Sequence, residues 1–187
     1  MEASPLAVDR VEFLKVQIAS VQSWKSKADQ ALPQLSLDMS NSVFEWRASL
    51  DYGDDELLDP RHFVFHFGLR LQQDSQKKKV QLPYEIEVEV VVFLRFEADE
   101  LPPPQDRFKL IRANGYPIAY AAIREMVCSY TGRSSHGVWQ LPSVNFMKDA
   151  EAEAVVDEHD RITRLAAQKR KASKVKSRKA KAIEHAN

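Results

Sequence analysis

The segment YEIEVEVVVFLRFE, residues 84–97, constrains this chain more than any other. Tyr84, Ile86, Val88, Val90, Val92, Leu94 and Phe96 occupy alternate positions, and Glu85, Glu87 and Glu89 stand between them. Side chains at a period of two point to opposite faces of an extended backbone, so this pattern makes a strand with one apolar face and one acidic face. HFVFHFGLRLQ follows the same rule: Phe63, Phe65, Phe67, Leu69 and Leu71 share one face, with His62, Val64, His66, Gly68 and Arg70 on the other. VEFLKVQIASVQSW and VFEWRASLDY read as two further strands, the second joined to QLSLDM through a bulge or bend at positions 40–42. Acid-rich DYGDDELLDP and Lys-rich QQDSQKKK supply the connecting turns. Strands that succeed one another without intervening helices argue for an antiparallel sheet.

The period changes after ELPPPQD, whose three prolines end the sheet region. Asp106 is expected to cap a short helix, RFKLIRAN, that Gly115 terminates. A second helix, YPIAYAAIREMVCSYTG, then tolerates Pro117 in its first turn and ends at Gly132. Ala119, Ala122, Ile123, Met126, Val127 and Tyr130 recur along it at steps of three and four, which gives one stripe to lay on the sheet. SSHGVWQLPSVNF is extended. The expected fold is α+β, a four-stranded antiparallel sheet with two helices on one face, over residues 1–147. Residues 148–187 form a charged tail, partly helical or disordered.

The formal net charge of zero hides a division along the chain. Residues 1–147 carry 16 basic and 20 acidic side chains, a net charge of −4. Positions 149–160 hold six acids and no Lys or Arg, whereas positions 161–181, from Arg161 to Lys181, hold ten Lys or Arg and no acid. Such a basic run can neutralise phosphates, so nucleic acid is a candidate partner, although no aromatic side chain interleaves the bases for stacking. The longest uncharged apolar run in VEVVVFLRF covers only Val90 to Leu94, far short of the roughly 20 residues that cross a bilayer. With no basic start and apolar run of a secretory signal, the chain is expected in the cytoplasm without membrane insertion.

Catalytic readings find little support. His62 and His66 would share a metal on a helix, but four strand steps separate them by roughly 13 Å. Cys128, the single cysteine, falls in the apolar helix as a small packing residue, and His136 could serve it as a base only through a contact made by the fold. Arg124 and Glu125 diverge by about 100° on a helix and so need not pair. Five glycines form no phosphate-cradling cluster. Neither an enzyme nor a cofactor is expected. What remains is a surplus of large apolar groups, Phe44, Trp46, Phe63, Phe65, Phe67, Phe93 and Trp139, more than one sheet face under two helices readily covers.

IREMVCSYTGR followed by LPSVNF resembles the SecB-type export chaperones, and its Ile-Arg-Glu and Thr-Gly-Arg spacing is similar to the SecB-like chaperones of toxin–antitoxin systems. The resemblance spans about residues 10 to 147 and rests on Arg124, Glu125, Val144, Asn145 and Phe146. It implies an ATP-independent holdase that grips unfolded polypeptides in apolar grooves, here walled by Phe44, Trp46, Phe63, Phe65, Phe67 and Trp139. It further implies a homo-oligomer, a dimer or a tetramer built as a dimer of dimers, and partner docking on the Glu85, Glu87 and Glu89 stripe. Glu87 falls where the family docks the zinc-bearing tail of the export motor ATPase. Two departures separate this chain from the export branch: Ser20 stands about where a second docking acid is expected, and Ala121 and Ala122 replace a Pro-Tyr pair. An antitoxin or another single partner protein is the alternative client.

Overall fold

In the computed structural model, residues 5–25, 42–74, 76, 82–97 and 101–184 are described, with the side chains of residues 172–184 left aside. Four strands, β1 (Leu6–Ser20), β2 (Ser42–Asp51), β3 (His62–Gln73) and β4 (Tyr84–Phe96), precede two helices, α1 (Pro104–Thr131) and α2 (Met147–Glu184). The strands make one antiparallel sheet in the order β1-β4-β3-β2. The fold is α+β, with β3 and β4 central and the helices after them. QLSLDM and the bend at its end lie outside the described residues, apart from Ser42, which opens β2.

Register carries the alternation of β4 across the whole sheet. Val90 pairs with Phe67 of β3 and Phe13 of β1, and Phe67 pairs with Ala48 of β2, so one apolar row crosses all four strands. The parallel row below it runs through Val16, Val88, Leu69 and Trp46. β1 keeps this register despite irregularities between Val8 and Arg10 and between Phe13 and Lys15. Each inserts one residue, and the second leaves Leu14 exposed at the sheet edge.

α1 crosses the apolar face over β1, β4 and β3, and α2 packs on α1. The two expected helices are one: α1 passes through both Gly115 and Pro117. Gly115 ends nothing, because its role is close approach. A Cβ there would sit 2.9 to 3.1 Å from three carbons of the Phe65 ring, so glycine lets the helix backbone lie directly on that ring. Asp106 also differs from expectation, standing in the first turn while Pro103 holds the cap position and Pro104 opens the helix. Pro117 costs α1 one internal bond, since it has no N–H to offer the carbonyl of Ala113.

Gly115→Ala gains helix propensity yet drives a methyl group into Phe65. The expected outcome is a net destabilisation of about 1–3 kcal/mol, the cost of overpacking a core, read as a lower urea midpoint with unchanged slope.

Candidate functional site

After Gly132 the chain reverses and descends along α1. The amide of Trp139 donates to Thr131 Oγ1 (2.8 Å), Arg124 Nε donates to the carbonyl of Leu141 (3.1 Å) and Tyr120 Oη donates to that of Pro142 (2.6 Å). Each step engages α1 nearer its start, until Phe146 stacks on Tyr116 with centroids 4.8 Å apart and rings 12° from parallel. Two α1 side chains donate to carbonyls of the segment and a third accepts one of its amides, which satisfies backbone groups that have no strand partner. Burial pushes the Tyr120 phenol up to about 12, so it stays a neutral donor.

Between this descending segment and α1 lies a cleft of about 420 Å³, lined on one side by Ala113, Pro117 and Ala121 and on the other by Val144, Phe146 and Met147. Arg112, Arg124, Ser143 and Asn145 add polar groups to its lining. The rest of the lining is aliphatic and aromatic, and includes Ala113, whose carbonyl Pro117 deprives of its helical donor. From the cleft an aromatic chain continues to the edge of the sheet. Phe146 meets Tyr120 at 5.4 Å and Trp46 at 5.9 Å, and Trp46 meets Phe44 at 5.7 Å. Trp46 is 40% exposed and Phe44 is half-buried, on an edge strand that has no outer partner among the described residues.

The expected groove residues therefore divide. Phe63, Phe65, Phe67 and Trp139 are no more than 2% exposed and belong to the core. Tyr52, Phe96 and Phe108 close over Phe63, Gly115 and Tyr116 over Phe65, Tyr116, Tyr120 and Phe146 over Phe67, and Tyr84 packs beside Trp139. α1 thus spends these rings on folding. Phe44 and Trp46 escape because α1 lies toward the other three strands.

The motif residues meet here. Arg124 and Val144 both line the cleft, while Glu125 is exposed and unpaired with Arg124. Asn145 Oδ1 accepts the amide of Met147 (3.0 Å), satisfying one of the free donors at the start of α2, and Phe146 is the ring on which that helix is seated. Sequence reasoning missed Arg112, Pro117, Tyr120 and Ala121 as lining residues. The spacing of Ala113, Pro117 and Ala121 at steps of four is the signal that could have found one wall.

The acidic stripe lies on the opposite face of the sheet, away from the cleft. Glu87 bonds Lys15 (2.6 Å) and Glu89 pairs with Arg47, which crosses the sheet through the gap that Gly68 leaves. Hydrogen bonding from Lys15 holds the Glu87 carboxyl below its ordinary range. Glu85 is exposed beside them. His62 bonds Glu56 and His66 bonds Asp51, and among the described residues no three His, Cys, Asp or Glu gather as a metal site. The Cys128 thiol donates to Trp139 O (3.6 Å), whereas His136 Nε2 engages Val21 O and its ring packs on Trp24 and Tyr84.

α2 is fixed beside the cleft by a buried cation. Arg112, 5% exposed, donates from two nitrogens to Asp157 (2.7 and 2.8 Å) and from a third to Glu153 (2.5 Å). Tyr116 Oη also donates to Glu153 (2.7 Å). Burial and this bond both raise the Tyr116 phenol, which keeps its proton on the donor side. Further along, Arg161 reaches Leu57 O and Arg164 reaches Asp54 and lies over the Tyr52 ring. The first half of the expected tail is thus a docked helix.

No family model matches the chain, and no curated protein matches it in sequence. Among solved structures it is similar to the SecB-like chaperone of Mycobacterium tuberculosis in complex with a ChAD peptide from the HigA1 antitoxin. Identity is 18%, with a TM-score of 0.48 over 74% of this chain and 90% of that one. A likeness of that depth assigns no partner to this chain.

Arg112→Leu leaves the Asp157 carboxylate, only 11% exposed, without its counter-charge. The expected loss is about 3 kcal/mol, and adding Asp157→Leu recovers a large part of it, since an apolar pair replaces a broken ionic one. Chemical denaturation of both variants checks the pattern.

Proposed function

We propose that the protein is an ATP-independent chaperone that holds unfolded or extended polypeptide in the cleft beside α1 and along the Phe44–Trp46 edge of the sheet. One observation carries this reading: Phe146, in the lining of a mainly apolar cleft of about 420 Å³, is in ring contact with a tryptophan left 40% exposed at a strand edge. Apolar side chains dominate the cleft, which favours client apolar groups over any one side chain. Client apolar area covered there gains about 25 cal/mol per Å² whatever its sequence. An extended segment can add to the outer edge of β2 through main-chain hydrogen bonds while alternate side chains reach the aromatic rings. The carbonyl of Ala113 offers one further acceptor at the cleft wall.

The client that fits best is a dedicated protein segment, such as that of an antitoxin, in preference to preproteins passed to an export motor. Docking a motor on the acidic stripe calls for available carboxylates, and Lys15 and Arg47 already engage two of the three acids. Assembly through β1 completes the proposal: this edge strand exposes Val8, Leu14 and Val16, apolar side chains that a second copy would cover. Repetition of the groove in a dimer or tetramer then adds avidity for one chain. The protein acts in the cytoplasm.

Suppression of aggregation of a chemically unfolded protein tests the reading. Trp46→Asp and Val144→Asp are each expected to raise the chaperone concentration needed by about tenfold, equivalent to ~1.4 kcal/mol of client affinity, while Cys128→Ala leaves it unchanged. Native mass and circular dichroism separate groove loss from unfolding. Wild-type suppression by both charged variants would sink the proposal.

A further inference from the structure

The second half of α2 has no part in the cleft. Four of the six acids of the first half are committed within the subunit: Glu153 and Asp157 to Arg112, Glu158 to Arg161, and Asp160 to Arg164. Gln168 still reaches the body, donating to Asp54 O at 2.9 Å. Lys169, Arg170 and Lys171 are exposed, and the helix continues to Glu184. Between Lys169 and Lys181 the sequence has eight Lys or Arg and no acid.

We infer that this basic helical arm, residues 169–181, is a docking element for the phosphate backbone of double-stranded nucleic acid, read without base selection. The charge count and the fold both point there. Residues 1–147 carry a net charge of −4 and repel phosphate, so the arm alone supplies attraction. A helix about 10–12 Å across matches the roughly 12 Å width of the major groove, and eight Lys or Arg within residues 169–181 recur at helical spacing around it. No Phe, Trp or Tyr occurs after Phe146, so single strands, which are held by base stacking, gain nothing from the arm. Val175 and Ile183 are the only large apolar residues between positions 169 and 184, too few for the apolar face with which an amphipathic helix enters a membrane surface. Self-pairing of α2 is disfavoured because four of the six acids it would use already bind arginines of their own subunit. The inference does not depend on the client-binding proposal.

Full-length protein is titrated against a 20-base-pair duplex of arbitrary sequence, followed by fluorescence anisotropy from 50 to 200 mM salt. Expected are micromolar binding indifferent to sequence, a fall of about 10³- to 10⁵-fold across that salt range, and weaker binding of a single strand. Replacing Lys169, Lys171, Lys174, Lys176 and Lys179 with Gln in the full chain is expected to flatten the slope of log K on log salt by about 4 to 5. Aggregation suppression and the buried α2 contacts stay as in the wild type. Absence of duplex binding at 50 mM salt overturns the inference, as does binding that the five substitutions leave intact. Preferential arm-dependent binding to phosphatidylserine vesicles, or arm-dependent self-association without duplex binding, also overturns it. Loss of client binding with duplex binding retained strikes only the chaperone reading.

Discussion

Phe146 is the ring on which the architecture turns. It stacks on Tyr116 of α1, meets Phe67 of β3, Tyr120 of α1 and Trp46 of β2, and immediately precedes α2. Sheet, first helix, descending segment and second helix therefore share one buried side chain. Aromatic pairs of this kind contribute about 0.5–1.5 kcal/mol each beyond area burial, and here several converge on one residue. The carbonyl of Phe146 also accepts the Ala150 amide, the first bond of α2. The ring fixes where that helix starts, and its depth sets the floor of the cleft.

Given that anchor, the division of labour among aromatic residues follows from where α1 lies. β3 contributes three phenylalanines on one face, and the helix, brought down onto Phe65 at Gly115, closes over all of them. β2 pairs with β3 in perfect register, so Trp46 shares their face, yet it lies one strand further out than α1 reaches. Phe146 covers only part of the indole. Core and groove are thus made from one alternating pattern, and coverage alone separates them.

Sheet and strand faces were legible because alternation is a local property. β3 and β4 follow their sequence patterns residue by residue, and the acids of β4 face away from the core as their positions require. The helical region was harder to read, since glycine has two uses that look alike in sequence. Gly115 suggested a terminus, but its missing Cβ serves a tertiary contact fifty residues away in Phe65. The same limit applies to α2: its acids and bases invite local i, i+4 pairing, and only Asp160 with Arg164 does so among the ion pairs described. Asp157 turns instead to Arg112, which no spacing along the chain could indicate. The Val-Asn-Phe motif was visible as a resemblance, while the work it does here, walling the cleft and starting α2, depends on the backward path of residues 133–146 along α1.

That path also explains how a well-packed protein keeps an apolar surface open. The descending segment is extended and tied to α1 by side-chain donors at Arg124 and Tyr120, so it cannot collapse onto the helix as another helix would. Ala113, Pro117 and Ala121 give α1 little bulk on the facing side, and the gap between them and Val144 stays unfilled. Filling it with larger side chains would add core stability at the expense of the cleft. Small residues on one wall, a tethered segment on the other and a ring at the floor hold a cavity whose lining loses apolar hydration only when something else enters. A flexible polypeptide is the occupant whose shape can adapt to such a trough, since its side chains repack against the walls without a fixed mould.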